Sequence, residues 1–329
     1  MELLLFVCVI LSSAICGPTT ERHVHKHGFK EREEDGAFSP RDHTHYEGGE
    51  HHPEFDHEAI LGSTKEAEEF DQLPPEEARK RLGNLLVKMD KNQDGTISRP
   101  ELKQWILRSF RSLSEEEARE RLGDTDVDHD GFVTWEEYVS EAYGIDDSHE
   151  LDTFIKDPYS HEDQGLLNND RELFKTADLD KDGKLNAVEY VAFSHPEEVP
   201  HMLEVILRQT LKDKDLDGDG FINFMEYLGN KAKDKDRAWL LNEKEHFDLK
   251  LDSNKDGLLG PLEILSWRVP SNEEIAEDEV DHLFASSDDD HDDTLSFGEV
   301  LDHHDVFVGS EATDYGEHLK KPSHLVDEL

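Results

Sequence analysis

Cysteine is almost absent from this 329-residue chain, since both examples, Cys8 and Cys16, lie in the opening stretch "MELLLFVCVILSSAICG". That stretch joins a short apolar run to small residues, as in a secretory signal peptide cleaved after residue 16. Glu2 and the lack of Lys or Arg before the run depart from this pattern, and an apolar N-terminal helix is the alternative. A chain cleaved there has no cysteine, which excludes disulfides, thiol catalysis and thiolate metal sites.

Long hydrophobic runs and basic residues are also scarce. No later stretch is apolar enough to cross a membrane. Acidic residues outnumber basic ones by 80 to 35, for a formal net charge of −45, which disfavours direct nucleic-acid binding. Hydrophobic residues make up 35%, low for one large core. The composition therefore favours small units, or disorder, with the charge neutralised by cations or by basic regions of other proteins.

Signatures of catalysis are missing as well. The sequence has no P-loop, no nucleophile elbow and no His-Glu-x-x-His zinc motif, so nothing in it favours an enzyme. It also has no Asn-x-Ser/Thr glycosylation acceptor. Only four methionines occur, one of them the initiator, and this disfavours a calmodulin-like switch with a methionine-rich groove.

What the sequence does contain is one twelve-residue acidic pattern, repeated six times. The six segments are "DKNQDGTISRPE" (90–101), "DVDHDGFVTWEE" (126–137), "DLDKDGKLNAVE" (178–189), "DLDGDGFINFME" (215–226), "DSNKDGLLGPLE" (252–263) and "DDDHDDTLSFGE" (288–299). Each has Asp at position 1, Asp or Asn at 3, Asp at 5, an aliphatic residue at 8 and Glu at 12. This is the spacing of the helix–loop–helix calcium loop called the EF-hand, and we number the units hands 1 to 6.

The spacing supplies six to eight oxygens to one calcium ion. Side chains at positions 1, 3 and 5, the carbonyl at 7, the side chain at 9 (often through water) and a bidentate Glu at 12 are the predicted ligands. They are Asp90, Asn92, Asp94, Thr96, Ser98 and Glu101; Asp126, Asp128, Asp130, Phe132, Thr134 and Glu137; Asp178, Asp180, Asp182, Lys184, Asn186 and Glu189; Asp215, Asp217, Asp219, Phe221, Asn223 and Glu226; Asp252, Asn254, Asp256, Leu258 and Glu263; and Asp288, Asp290, Asp292, Thr294, Ser296 and Glu299.

The loops are not expected to bind equally. Hands 2, 3 and 4, with four ligand carboxylates and Gly at position 6, are predicted to be strongest. Hand 5 has Gly260 at position 9 and must use water there, so its site is expected to be weaker. Hand 6 has Asp293 where the turn normally takes Gly, and positive φ costs Asp about 1–2 kcal/mol. We expect a functional but weaker site there, with Asp289 and Asp293 adding negative charge towards the ion.

Apolar residues at helical spacing flank the loops, which predicts an all-α protein of six EF-hands in three pairs. The aliphatic at position 8 is expected to seal the short backbone bridge between paired loops. Loop starts lie 36 residues apart from 90 to 126, 52 from 126 to 178, and 36 or 37 thereafter, which predicts pairs 1–2, 3–4 and 5–6. The predicted domains are a signal peptide (1–16), a disordered leader (17–73), pair one (74–145), a linker (146–165), pair two (166–236), pair three (237–308) and a tail (309–329).

The two ends carry further signals. The leader holds eight of the twenty histidines, which we interpret as part of a solvated disordered segment, with zinc or copper binding as the alternative. The chain ends in "HLVDEL", close to the KDEL-type address read by a retrieval receptor. Residence in the endoplasmic reticulum lumen is therefore predicted, with some secretion because Val326 departs from the usual signal.

These features together resemble the reticulocalbin–calumenin (CREC) family. The resemblance rests on the signal peptide, the six loops, the terminal tetrapeptide and the segments "FDHEAILG" (55–62), "EFDQLPPEEARKRL" (69–82) and "ELKQWI" (101–106). It implies luminal Ca²⁺ binding of modest affinity, and chaperone-like or regulatory contacts with client proteins. The alternative is a secreted, extracellular calcium-dependent interaction protein.

Overall fold

The computed structural model describes residues 33, 36–47, 50–145 and 161–309. The predicted signal peptide, the C-terminal tetrapeptide and residues 146–160 of the predicted linker lie outside the described residues. Within them the fold is mostly helical, which confirms the predicted all-α class.

The helices follow the helix–loop–helix order expected from the repeats. They are α1 (Glu54–Leu61), α2 (Thr64–Asp71), α3 (Pro75–Met89), α4 (Arg99–Thr125), α5 (Trp135–Tyr143), α6 (His161–Ala177), α7 (Ala187–Ser194), α8 (Leu203–Lys214), α9 (Phe224–Leu228), α10 (Arg237–His246), α11 (Pro261–Arg268), α12 (Asn272–Ser287), α13 (Phe297–Asp302) and α14 (His304–Val308). Short 3₁₀ turns (Pro196–Glu198, Pro200–Met202, Gly229–Asp234) and one π turn (Phe247–Leu251) complete them.

Very short strands hold the loops together in antiparallel pairs. They are β1 (Tyr46–Glu47) with β2 (Glu50–His51), β3 (Thr96–Ser98) with β8 (Thr294–Ser296), β4 (Val133–Thr134) with β5 (Lys184–Leu185), and β6 (Ile222–Asn223) with β7 (Leu258–Leu259). The last three pairs join position-8 aliphatics directly, namely Ile97 to Leu295, Val133 to Leu185 and Ile222 to Leu259. All six of these side chains are buried, so the predicted role of position 8 is confirmed.

The predicted order of pairing is wrong. The bridges join hand 1 to hand 6, hand 2 to hand 3 and hand 4 to hand 5, and we call these units 1–6, 2–3 and 4–5. The reason is α4, an unbroken helix of 27 residues that leaves loop 1 and enters loop 2. At 1.5 Å per residue it is about 40 Å long, so it holds the two loops at opposite ends. Hand 1 therefore finds its partner at the far end of the chain.

The predicted linker at 146–165 is also misplaced as a boundary. Hands 2 and 3, on either side of it, share one bridge, so the extra residues fall inside a unit. Its last five residues, 161–165, already belong to α6. The extra length between loops 2 and 3 thus connects two paired hands, and it does not separate two pairs.

The prediction of a disordered leader fails for the described part of residues 36–73. Helices α1 and α2 form there, and Phe38, Ile60 and Phe70 are buried. Ile60 and Phe70 join the core of unit 1–6, and the Trp105 indole N–H donates to the Ile60 carbonyl at 2.7 Å. The leader orders because it supplies apolar surface that this unit lacks by itself.

Each unit has its own apolar core among the described residues. The core of unit 1–6 combines leader, hand 1 and hand 6 side chains, and Leu82, Ile106 and Phe284 are among its most deeply buried members. The core of unit 2–3 is rich in aromatic rings, and Tyr138 and Phe193 meet edge-on with centroids 4.9 Å apart. The core of unit 4–5 is the smallest, with seven buried hydrophobic residues.

Candidate calcium sites

All six loops close on themselves through backbone N–H groups. The amide at position 6 donates to the Oδ2 atom of the Asp at position 1, at 2.8–3.1 Å in every loop. The amide at position 7 donates to Oδ1 of the Asp at position 5, at 2.8–2.9 Å. These bonds turn the carboxylates inwards, as a wrapped cation requires.

The Glu side chain at position 12 also accepts the same backbone hydrogen bonds in all six loops. Its Oε2 accepts from the amide at position 9, at 2.8–3.1 Å. Its Oε1 accepts from the amide at position 3, at 3.1–3.5 Å. Both oxygens therefore face the inside of the loop, where a bidentate ligand must lie. The bond at position 9 also caps the helix that follows the loop.

The predicted ligands thus come together loop by loop. In hand 2, oxygens of Asp126, Asp128 and Glu137 lie within 4.8 Å of one another, and hands 3 and 4 contain the equivalent groups. In hand 4, burial and the carboxylates of Asp219, Glu226 and Asp215 raise the pKa of Asp217. A bound divalent cation would relieve that repulsion, so the donor set fits Ca²⁺.

Local hydrogen bonds keep other ligands charged. The Ser296 hydroxyl donates to Glu299 at 2.8 Å and is the main cause of a lowered pKa at that Glu. In hand 2, the Lys184 ammonium lies 2.6 Å from Asp130 Oδ2 and lowers the pKa of Asp130. Lys184 belongs to loop 3, so this contact links the two loops of unit 2–3. It also places a fixed positive charge beside one ligand oxygen of hand 2.

Loop 6 shows how Asp293 is accommodated. Its φ is +65°, so it adopts the left-handed conformation that Gly adopts at position 6 of the other five loops. Its carboxylate, however, accepts from Arg99 Nε of the paired loop at 2.6 Å, and Asp289 lies 3.2 Å from the His303 ring. Each of the two acids therefore has a cationic or protonatable neighbour, and their effect on an ion in loop 6 stays a prediction.

A second strained position escaped the sequence interpretation. Position 4 also has positive φ in all six loops, at Gln93, His129, Lys181, Gly218, Lys255 and His291. Only hand 4 has a glycine there. His129 and His291 belong to a residue type that is enriched at positive φ, but Gln93, Lys181 and Lys255 give no such signal, so the geometry is needed to identify the strain that the loops share.

Loop 5 compensates in part for Gly260. The Gly260 amide makes the usual bond to Glu263 at 2.8 Å. The hydroxyl of Ser253, at position 2, donates to the other oxygen of Glu263 at 2.9 Å. In hands 1, 2, 3, 4 and 6 a backbone amide takes that place. The carboxylate of loop 5 is therefore fully positioned, although no side chain reaches the ion from position 9.

Comparison with known proteins gives a consistent result. A family model described as "EF-hand domain pair" matches residues 79–143, and one described as "EF hand" matches residues 171–194 and 207–228. Reticulocalbin-2 of Crotalus adamanteus is 40% identical over 285 residues, covering 85% of this chain and 93% of the relative. The chain belongs to the CREC family of EF-hand proteins. Reticulocalbin-2 of Mus musculus is 37% identical over 87% of this chain and 90% of its own length, and Reticulocalbin-3 of Rattus norvegicus is 35% identical over 82% and 83%.

As a member of the CREC family, the protein binds calcium and is not an enzyme. The matched pair at 79–143 contains hands 1 and 2, which are consecutive in sequence but belong to different units. In this CREC protein, therefore, two hands that are consecutive in the sequence do not necessarily pair in the structure. No helix within the described ranges has the length and apolarity to cross a membrane.

Proposed function

We propose that this protein binds up to six calcium ions in the lumen of the secretory pathway, where it buffers calcium and contacts client proteins in a calcium-dependent, chaperone-like way. The observation that carries the calcium part is the common loop geometry, in which the carboxylates at positions 1, 5 and 12 are turned inwards by backbone amides in every hand. Hands 5 and 6 share this geometry with the four hands matched by family models.

The charge of the chain supports a buffering role. The ligand positions contain 22 of the 80 acidic residues, and six Ca²⁺ ions change the net charge only from −45 to −33. Without Ca²⁺ the carboxylates of each loop repel one another, so the chain is expected to be loose and to compact when it binds.

Calorimetric titration of the purified chain with Ca²⁺ tests the number of sites. Six equivalents, with hands 5 and 6 weakest, are expected. Uptake of only one or two equivalents at millimolar Ca²⁺ would contradict the proposal.

Client contact is supported by apolar side chains exposed at loop positions 2 and 11. They are Val127, Leu179, Val188, Leu216, Met225 and Leu262. All belong to units 2–3 and 4–5, and the equivalent positions of unit 1–6 are Lys91, Pro100, Asp289 and Gly298. Surface apolar side chains that recur at fixed places in successive loops suit binding to unfolded segments.

Suppression of aggregation of a reduced, unfolded test protein checks this role. Leu216→Ser with Met225→Ser is expected to weaken suppression in the presence of Ca²⁺, whereas Lys91→Ser, at the matching position of loop 1, is expected to have no effect. Equal suppression by all variants would argue against these residues as the client surface.

Luminal residence and use of the retrieval receptor rest on the two ends of the sequence. Deletion of the terminal VDEL is expected to move the protein from the cell to the medium. A protein secreted equally with and without those four residues would favour the extracellular alternative.

A further inference from the structure

Three histidines and one aspartate converge where the leader meets hand 6. His45 and His51 lie on the hairpin formed by β1 and β2, Asp56 lies in the first turn of α1, and His282 comes from α12. One nitrogen or oxygen from each lies within 4.8 Å of all the others. None of these residues belongs to a calcium loop.

The separations match a small coordination sphere. Asp56 Oδ1 lies 2.7 Å from His45 Nε2, and Asp56 Oδ2 lies 3.0 Å from His51 Nε2 and 3.5 Å from His282 Nε2. The Nε2 atoms of His45 and His51 are 2.9 Å apart. Ligands of a tetrahedral zinc ion, each about 2.0–2.1 Å from the metal, lie roughly 3.3 Å from one another.

Asp56 is the residue that most needs a partner. It is fully buried, and neither carboxylate oxygen accepts a hydrogen bond, although ring nitrogens of His45 and His51 lie 2.7 and 3.0 Å away. The buried Nε2 atom of His282 likewise has no hydrogen-bond partner. A buried carboxylate without directed donors is costly, and a cation shared with the three rings would remove that cost.

The surroundings favour metal binding in two further ways. His282 Nδ1 lies 3.3 Å from the Tyr46 hydroxyl, so with its proton on Nδ1 the ring donates outwards and turns the Nε2 lone pair towards Asp56. A cavity of about 190 Å³ beside the cluster, lined by His45, Tyr46, Glu279 and His282 among others, gives room for an ion to enter.

We propose that His45, His51, Asp56 and His282 form a binding site for a nitrogen-preferring divalent transition ion, represented by Zn²⁺, distinct from the calcium loops. Three imidazoles and one carboxylate suit zinc, whereas calcium takes oxygen ligands. The ion joins the hairpin and α1 of the leader to α12 of hand 6. It therefore holds the leader, which precedes hand 1, against hand 6 within unit 1–6.

Zinc titration of the purified full chain, with Ca²⁺ held at saturation so that the loops are filled, tests the site. One calcium-independent equivalent of Zn²⁺ is expected. Co²⁺ at the same site is expected to show the intense visible absorption of a four-coordinate ion. His282→Gln is expected to weaken Zn²⁺ binding by at least about 100-fold, and Tyr46→Phe, which removes only the supporting hydroxyl, by about tenfold.

Two controls make the result decisive. His201→Gln, at an exposed histidine outside the cluster, is expected to bind Zn²⁺ as the unchanged chain does. Calcium titration and circular dichroism of each variant show that the fold is intact, and His282 and Tyr46, which are not fully buried, replace Asp56 as targets for that reason. Absence of the zinc equivalent, or equal zinc affinity in His282→Gln, would overturn the proposal. Equal affinity would assign the zinc to other histidines, such as those at 23, 25 and 27.

Discussion

Units 1–6 and 4–5 bury the apolar faces of their paired hands in different ways. Unit 4–5 joins two neighbouring hands through Ile222 and Leu259 and has a small core. Unit 1–6 joins hands about 200 residues apart, through Ile97 and Leu295, and adds helices α1, α2 and α14 to a much larger core. The comparison shows that hand 1, which does not pair with its neighbour in the sequence, packs against additional helices from the leader and the end of the described chain. It also predicts that unit 4–5 depends more than unit 1–6 on Ca²⁺ for its stability.

The largest effect is expected in the core of unit 1–6. Phe284→Ala removes a buried ring that also contacts the Arg99 guanidinium at 4.3 Å, and should cost about 3–5 kcal/mol of that unit's unfolding free energy. Trp105 reports on unit 1–6, and Trp239 and Trp267 report on unit 4–5. Denaturation followed in single-tryptophan backgrounds should show a loss confined to Trp105.

Phe132→Ala, at a half-exposed ring in loop 2, is the matched control and should change stability little. If the signals of Trp105 and Trp267 fall together in Phe284→Ala, the units unfold as one, and the contrast between them is wrong.

The second expected difference between units 4–5 and 1–6 is how far the stability of each depends on calcium. Glu226→Gln and Glu101→Gln each remove one bidentate ligand and should weaken Ca²⁺ at their own loop at least about tenfold, near 1.4 kcal/mol or more. Because the core of unit 4–5 is small, Glu226→Gln should also lower its melting temperature more than Glu101→Gln lowers that of unit 1–6. Calorimetry and tryptophan fluorescence at one fixed Ca²⁺ concentration measure both. Equal shifts would mean that core size does not set the reliance on calcium.

Loop 6 offers a test of strain within unit 1–6. Asp293→Gly removes a left-handed non-glycine residue, worth about 1 kcal/mol, and also the exposed ion pair with Arg99, worth little. We expect hand 6 to bind Ca²⁺ several-fold more tightly, approaching tenfold. Arg99→Gln breaks the same ion pair and keeps the strain, so it should strengthen binding by no more than about twofold. A gain in Arg99→Gln equal to that in Asp293→Gly would show that charge, and not backbone conformation, limits the site.

The smallest effect concerns unit 2–3. Lys184→Met removes the ammonium beside Asp130 and should strengthen Ca²⁺ at hand 2 by about twofold, near 0.5 kcal/mol, because the pair is partly exposed. Lys181→Met, in the same loop but making no ion pair with loop 2 in the described part of the chain, is the control. A titration at low ionic strength, where the difference should grow, gives the clearest measurement.

The loops could be predicted because their chemistry is local. Every ligand of hand 2, from Asp126 to Glu137, lies within twelve residues, and the position-8 aliphatics needed no knowledge of the fold. The pairing could not be derived from loop spacing, because the starts of hands 4 and 5, which pair, and of hands 3 and 4, which do not, are both 37 residues apart, and the longest interval between successive loops, 52 residues, lies between the paired hands 2 and 3. The deciding fact is the continuity of α4, whose sequence from 101 to 122 contains neither Gly nor Pro. Between hands 4 and 5, by contrast, Gly229 and a 3₁₀ turn allow the chain to fold back.

The folded structure of the leader could not be predicted for a different reason. Its sequence is polar and rich in histidine, which is typical of disordered segments. Its order depends on partners far along the chain, as in the contact of Asp56 with His282 and the bond from the His57 ring to the Asp305 carbonyl at 3.1 Å. A local pattern contains no information about such a contact.

The bridge between hands 1 and 6 has a consequence for biosynthesis. Ile97 leaves the ribosome about 200 residues before Leu295, a delay of roughly 10–40 s at 5–20 residues per second. During that interval hand 1 can pack against the leader but lacks its bridge partner, whereas hands 2 and 3, and hands 4 and 5, emerge within about 2–10 s of each other. Unit 1–6 therefore stays incomplete for most of translation and forms its bridge only after hand 6 emerges.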